Sequence, residues 1–174
     1  MFRMFFVGLV GIMLILGPVS SASEPPVNDK PVLVDPFLVL PRTEDTYCLA
    51  KAIYFEARNQ SPTGQLGVAN VVLNRLHTWG TFRNICQVVY ANANGGCAFT
   101  WVCDETQKIH ERKIWDKTLA MAYDILFIAE NGKMKDVTKG ATYFHTTDVH
   151  PVWADDPGMV RTAAIDSHIF YRKS

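Results

Sequence analysis

The chain has 174 residues, 17 basic against 17 acidic side chains, and an apolar share of 48%. That is enough chain and apolar surface for one globular domain, and it excludes a disordered tail or a polybasic nucleic-acid binder. With charge balanced and no internal repeat, any partner must be read from particular residues.

At the N-terminus Arg3 precedes an apolar stretch over residues 4–16, then Gly17, Pro18 and the small residues Ser20, Ser21 and Ala22. This order reads as a signal peptide over residues 1–22, because the apolar run is shorter than the roughly 20 residues a bilayer span needs. The mature protein is expected outside the cytoplasm, periplasmic or extracellular, as a monomer with no membrane span left after cleavage. Residues 23–42 carry Pro25, Pro26, Pro31, Pro36 and Pro41 without a helical period and read as an extended lead-in. The folded domain is expected over residues 43–174.

Thr43 can cap a first helix that holds Glu44 and Asp45 in its first turn, runs to Arg58 and stops at a left-handed Asn59. A second helix opens at Ser61 with Pro62 in its first turn and continues through Leu66, Val68, Ala69, Val71, Val72, Leu73 and Leu76. Its wide apolar arc suits a mostly buried helix. A short third helix is expected over residues 81–90, a turn-rich loop over 92–96, and a long fourth helix over 107–131. In the fourth, Lys113, Lys117 and Asp124 face one way, Ile114, Leu119, Ala122, Ile125, Leu126 and Ala129 the other, and Gly132 ends it. Beyond Gly140 three short β-like pieces, 141–145, 160–165 and 168–171, predict a small antiparallel sheet. The fold class is α+β, mainly helical.

Export changes the meaning of Cys48, Cys86, Cys97 and Cys103, since an oxidising compartment favours disulfides. Two bridges are expected from three possible pairings, and Cys97 with Cys103 closes the shortest loop. A zinc site is the competing reading, but the sequence has no Cys-x-x-Cys pair and no histidine beside these cysteines.

At 100° per residue Glu44, Lys51 and Arg58 form the water-facing stripe of the first helix. Glu56 projects from nearly the opposite side, among Leu49, Ala52 and Ile53, where an ionised carboxylate loses hydration. It also lies in the last turn, where the helix dipole disfavours negative charge. Either Glu56 pairs with a buried base, for which Arg75 is the candidate, or it is a carboxyl kept protonated to donate to a leaving glycosidic oxygen.

The motif string is long: AKAIYFEAR over residues 50–58, Pro62, Gly64-Gln65, Val68-Ala69, VVLNR over 71–75, CQVVY over 86–90 and FTWVCD over 99–104. It continues with GATYFH over 140–145, PVW over 151–153 and HIFY over 168–171. It resembles the SleB-type cell wall hydrolases over nearly all of residues 46–172. The resemblance implies a lysozyme-like helical body and cleavage of peptidoglycan glycan strands between N-acetylmuramic acid and N-acetylglucosamine. It also implies lytic transglycosylase chemistry in the manner of spore-cortex enzymes, with Glu56 catalytic. Where the family shows Gly-Glu after Ala-Arg, this chain has Asn59-Gln60, and Gln60 cannot ionise; Glu105 replaces a glycine after Cys-Asp.

A two-carboxylate hydrolase needs a second acid facing Glu56, and Asp104 is the best placed by sequence, against an ordinary loop-capping role. Phe99, Trp101 and Trp153 sit in loop-like segments where flat rings suit sugars, whereas Trp115 has core spacing and Trp79 reads as loop packing. His145, on a predicted strand, is expected to order the groove by a hydrogen bond. His145, His150 and His168 with Asp148 are alternatively a zinc amidase set, although their spacing matches no familiar motif. A binding module without catalysis would keep the aromatic groove alone. No cofactor is expected.

Overall fold

The computed structural model describes residues 44–93, 96–104 and 106–174. The signal peptide, the proline-rich lead-in, the Thr43 cap and Glu105 lie outside them. Helix α1 spans Glu44–Ala57, α2 Pro62–Thr78, α3 Ile85–Val89 and α4 Arg112–Glu130. Among the described residues no helix is long and apolar enough to cross a membrane.

Helix α1 is enclosed by α2, α3 and α4, so Leu49, Ala50, Ala52, Ile53 and Ala57 are shut off from solvent while Glu44 and Arg58 remain exposed. Its acidic start also serves α3, because Asp45 Oδ1 accepts the Cys86 N–H at 3.2 Å. The helix does not end in a left-handed Asn59. The chain continues in a right-handed turn closed by Gln60 N–H to the Ala57 carbonyl.

The Ser61 hydroxyl caps α2 by accepting the Gly64 N–H at 3.2 Å, with Pro62 in the first turn. The third helix starts later than the sequence suggests. Asn84 Oδ1 accepts the Gln87 N–H, and Gln87 Oε1 accepts that of Arg83, a reciprocal cap that fixes the start at Ile85. Residues expected as a turn-rich loop pair as β1 (Asn92–Ala93) and β2 (Gly96–Cys97), antiparallel. A 3₁₀ turn, η1, follows at Thr100–Cys103.

The fourth helix also starts late, at Arg112 instead of 107. The Tyr54 hydroxyl accepts the N–H groups of both His110 and Glu111, holding that stretch out of the helix. At the far end Gly132 (φ +66) reverses the chain, with Lys133 N–H on the Ile128 carbonyl and Gly132 N–H on that of Ala129. Trp115, Ala122 and Ile125 are buried, as the apolar arc predicts.

Strands β3 (Tyr143–Thr146), β4 (Met159–Ile165) and β5 (His168–Lys173) form an antiparallel sheet in the order β3-β5-β4, with a bulge at Thr162. A second 3₁₀ turn, η2 (Val152–Asp155), lies between β3 and β4. The sheet packs on α2 through Val71, Ala141 and Phe170. Gly67 permits the approach: a Cβ there would sit 2.7 Å from Phe170 Cζ, too close for the ring to stay.

The cysteines pair as Cys48–Cys86, tying α1 to α3, and Cys97–Cys103, closing the loop around η1. Loop-closure entropy grows with the enclosed length. With sequence separations of 38 and 6, replacing the first pair by serines should cost about 4 kcal/mol and the second about 2 kcal/mol. Denaturant midpoints of the two double variants measure the order, and equal losses would contradict it.

Candidate active site

Glu56 occupies the last turn of α1, half-buried, with Ala52 and Ile53 fully enclosed beneath it. Burial raises its pKa from 4.5 to about 7, and the positive charge of Arg75 pulls it partly back. Its carboxyl makes no hydrogen bond or ion pair to the described residues. The alternative in which Arg75 neutralises Glu56 directly is therefore not what forms. Arg75 instead donates from Nε to the Thr142 carbonyl at 2.7 Å and from an Nη to that of Ala98 at 3.4 Å.

Glu56 borders open space on two sides. One cavity, about 290 Å³, is walled by Arg75, Phe99, Phe144, His145 and Trp153. The other, about 410 Å³, is walled by Phe55, Thr100, Trp101, Asp104 and Gln107. Glu56 thus lines both, and all five residues singled out beside it in the sequence border one space or the other.

Their environments differ from expectation in one case. Phe99 is only 3% exposed and belongs to the core, its ring under the Arg75 guanidinium at 5.1 Å, so it is floor more than a free platform. Trp101 is half-buried, stacked on Phe55 at 4.7 Å, and its indole N–H is buried without a partner among the described residues. Trp153, in η2, packs edge-on against His145 and Tyr171.

His145, on β3, has one ring nitrogen 2.8 Å from the Thr146 carbonyl and the other 3.2 Å from the Tyr171 hydroxyl. A carbonyl only accepts, so Nδ1 carries the proton and, in the neutral ring, Nε2 accepts from tyrosine. These two contacts fix the ring in the cavity wall. Asp104 Oδ1 accepts from the Thr106 hydroxyl and N–H, and Oδ2 from the Gln107 amide. The Thr106 hydroxyl first, then Gln107 and the Thr106 N–H, hold its pKa below the usual carboxylate value. It is a loop-capping Asp that nonetheless borders the Glu56 cavity.

The proposed zinc set does not assemble. His168 is fully buried, edge-on to Phe144, while His150 is exposed and clasps Asp155 at 2.9 Å. Among the described residues no group of three or more His, Cys, Asp or Glu side chains converges, and the four cysteines are spent in disulfides.

Sequence reasoning missed how α2 anchors the cavity wall. Asn70 Oδ1 accepts the Val137 N–H, Asn74 donates to Asp136 and the Ala141 carbonyl, and Arg75 takes Thr142. The signal was present as three polar side chains inside an apolar helix run.

Residues 59–171 match the family described as Cell Wall Hydrolase, a stretch that begins three residues after Glu56. The crystal structure of the catalytic domain of the Bacillus cereus SleB protein is similar at 24% identity with a TM-score of 0.54. The likeness covers 76% of this chain and 95% of that one, and shows a shared fold. No curated protein matches. With the family match extending over more than half of its length, the chain belongs to the cell wall hydrolase family.

Proposed function

We propose that the domain cleaves peptidoglycan glycan strands between N-acetylmuramic acid and N-acetylglucosamine as a lytic transglycosylase, with Glu56 as general acid and then base. The observation that carries this is a desolvated carboxyl, with pKa near 7 and no partner among the described residues, on a residue that lines two aromatic-walled cavities. Glu56 gives its proton to the glycosidic oxygen as the bond to muramic acid C1 breaks. The resulting carboxylate accepts the proton of the muramic acid 6-hydroxyl, whose oxygen bonds to C1 and closes a 1,6-anhydro ring. Trp101 and Trp153 offer ring faces to the sugars, with Phe99 and His145 supporting them.

A two-carboxylate hydrolase is the second reading, favoured by the ionised Asp104 bordering the same cavity as Glu56. Mass analysis of products from purified peptidoglycan separates the two: anhydro ends are expected, and reducing ends would assign Asp104 the base role. Glu56→Gln should lower the rate about 10²- to 10⁴-fold. A variant that clears a wall suspension as fast as wild type would remove Glu56 from the chemistry, and binding without clearing by either protein would favour a non-catalytic module.

The raised pKa gives a signed pH dependence. A donor with pKa about 7 predicts kcat/KM falling about tenfold per unit above that pH. Stability moves the same way: the neutral carboxyl is favoured fully below pH 4.5, and that contribution is lost as pH rises through about 7. Glu56→Gln should then be more stable than wild type at pH 8 by about 1–3 kcal/mol, with the gap closing by pH 4. Equal melting at both pH values would contradict a desolvated carboxyl.

The domain is proposed to act as a monomer outside the cytoplasm, with residues 1–22 as export signal, 23–42 as lead-in and 43–174 as the catalytic unit. Two disulfides support an oxidising compartment. The mass of the secreted protein should correspond to a start near Ser23; an intact Met1 would reject the cleavage site.

A further inference from the structure

Resting on the assignment of Glu56 as proton donor, one charged side chain in its cavity still lacks a task. Arg75 is 6% exposed, and its guanidinium has no carboxylate within ion-pair distance among the described residues. A buried cation needs compensation. Here it comes from the carbonyls of Thr142 and Ala98 and from the rings of Trp79 and Phe99, whose centroids lie 5.2 and 5.1 Å from its central carbon. None of these groups can take up its charge by changing protonation near neutral pH. Both carbonyls belong to segments that wall the cavity, Ala98 before η1 and Thr142 at the entry to β3.

The geometry points to Arg75 as a positioning residue for the proton transfer: anchored on two backbone carbonyls, it holds a fixed positive charge beside Glu56 that favours the carboxylate left when the proton departs. The separation from Glu56 matters as much as the charge. A direct ion pair would keep the carboxyl ionised at rest, with no proton to give. Without any charge the acid would be weaker and part with its proton less readily. Arg75 itself neither gains nor loses a proton; the proton moves from Glu56 to the glycosidic oxygen and is replaced from the 6-hydroxyl.

The other titratable groups around the pair are Asp104 from the loop after η1 and His145 and Tyr143 from β3.

Arg75→Gln keeps an amide donor for one carbonyl and removes the charge, while Arg75→Lys keeps the charge. In the whole mature protein, the Glu56 carboxyl is titrated by NMR without substrate, and the pH profile of peptidoglycan cleavage is measured alongside. Arg75→Gln should move the Glu56 midpoint and the alkaline limb upward together by about one unit. It should also lower kcat about tenfold or more with KM little changed. Arg75→Lys should leave the midpoint near its wild-type value.

A folded Arg75→Gln whose Glu56 midpoint stays put overturns the proposal. If that variant does not fold, Arg75→Lys decides: a midpoint displaced upward by about a unit despite the retained charge overturns it equally. An active Glu56→Gln would instead reject the function assigned to Glu56 while the NMR shift in Arg75→Gln could still be seen, so the two failures are separable.

Discussion

The hydrogen bond from Arg75 to the Thr142 carbonyl, at 2.7 Å, is the tie on which the site depends, because it joins the helical body to the sheet beneath the cavity. Residues 136–142 have irregular backbone against α2, and buried backbone groups without partners cost roughly 1–3 kcal/mol each. Asn70, Asn74 and Arg75 supply those partners from a helix otherwise filled with valine, leucine and alanine. The strand that begins just after this segment carries Phe144 and His145 into the cavity wall, so the polar residues of α2 set the position of groups they never touch.

Much of this architecture was legible in the sequence because it rests on local periodicity: the cap and first-turn proline of α2, the apolar arc of α4 and its glycine stop, and the three strands. The starts of α3 and α4 were not legible, for a common physical reason. Each is set by side-chain hydrogen bonds competing with helix formation, Gln87 drawing Arg83 out of α3 and Tyr54 drawing His110 and Glu111 out of α4. The second contact spans 56 residues, which no window of sequence reports. Glu56 stood out because a charged side chain broke an apolar face. Phe99 did not reveal its buried place because a loop position says nothing about depth, and the aromatic-rich motif around it serves core and groove together.

The departure at Asn59-Gln60 is explained by the same long-range logic. Gln60 Oε1 accepts the Ser167 N–H, and Ser61 donates twice to Asp166, so this segment is docked on the β4–β5 turn. Asp166 holds that turn with φ +50, a conformation Asp tolerates better than most residues. Gln60 borders neither cavity next to Glu56. A neutral side chain at this position therefore takes no acid away from the cavities beside Glu56, and its contacts bear on the turn instead.

The contrast between the two carboxyls near the cleft carries the mechanistic preference one step further. Environments that push two acids apart in proton affinity assign them different roles. Glu56, desolvated, rests protonated near neutral pH, while Asp104, held by Thr106 and Gln107, rests ionised. Yet both Asp104 oxygens already accept hydrogen bonds from its own loop, which stabilises its charge at the expense of the basicity that activating a water requires. Among the described residues nothing engages either oxygen of Glu56, so in the proposed mechanism the same group can lose a proton to the leaving oxygen and regain one from a neighbouring hydroxyl. One carboxyl without a partner among the described residues and one already occupied is the pairing that the proposed internal nucleophile on the sugar requires, whereas a positioned water would need the second to be free.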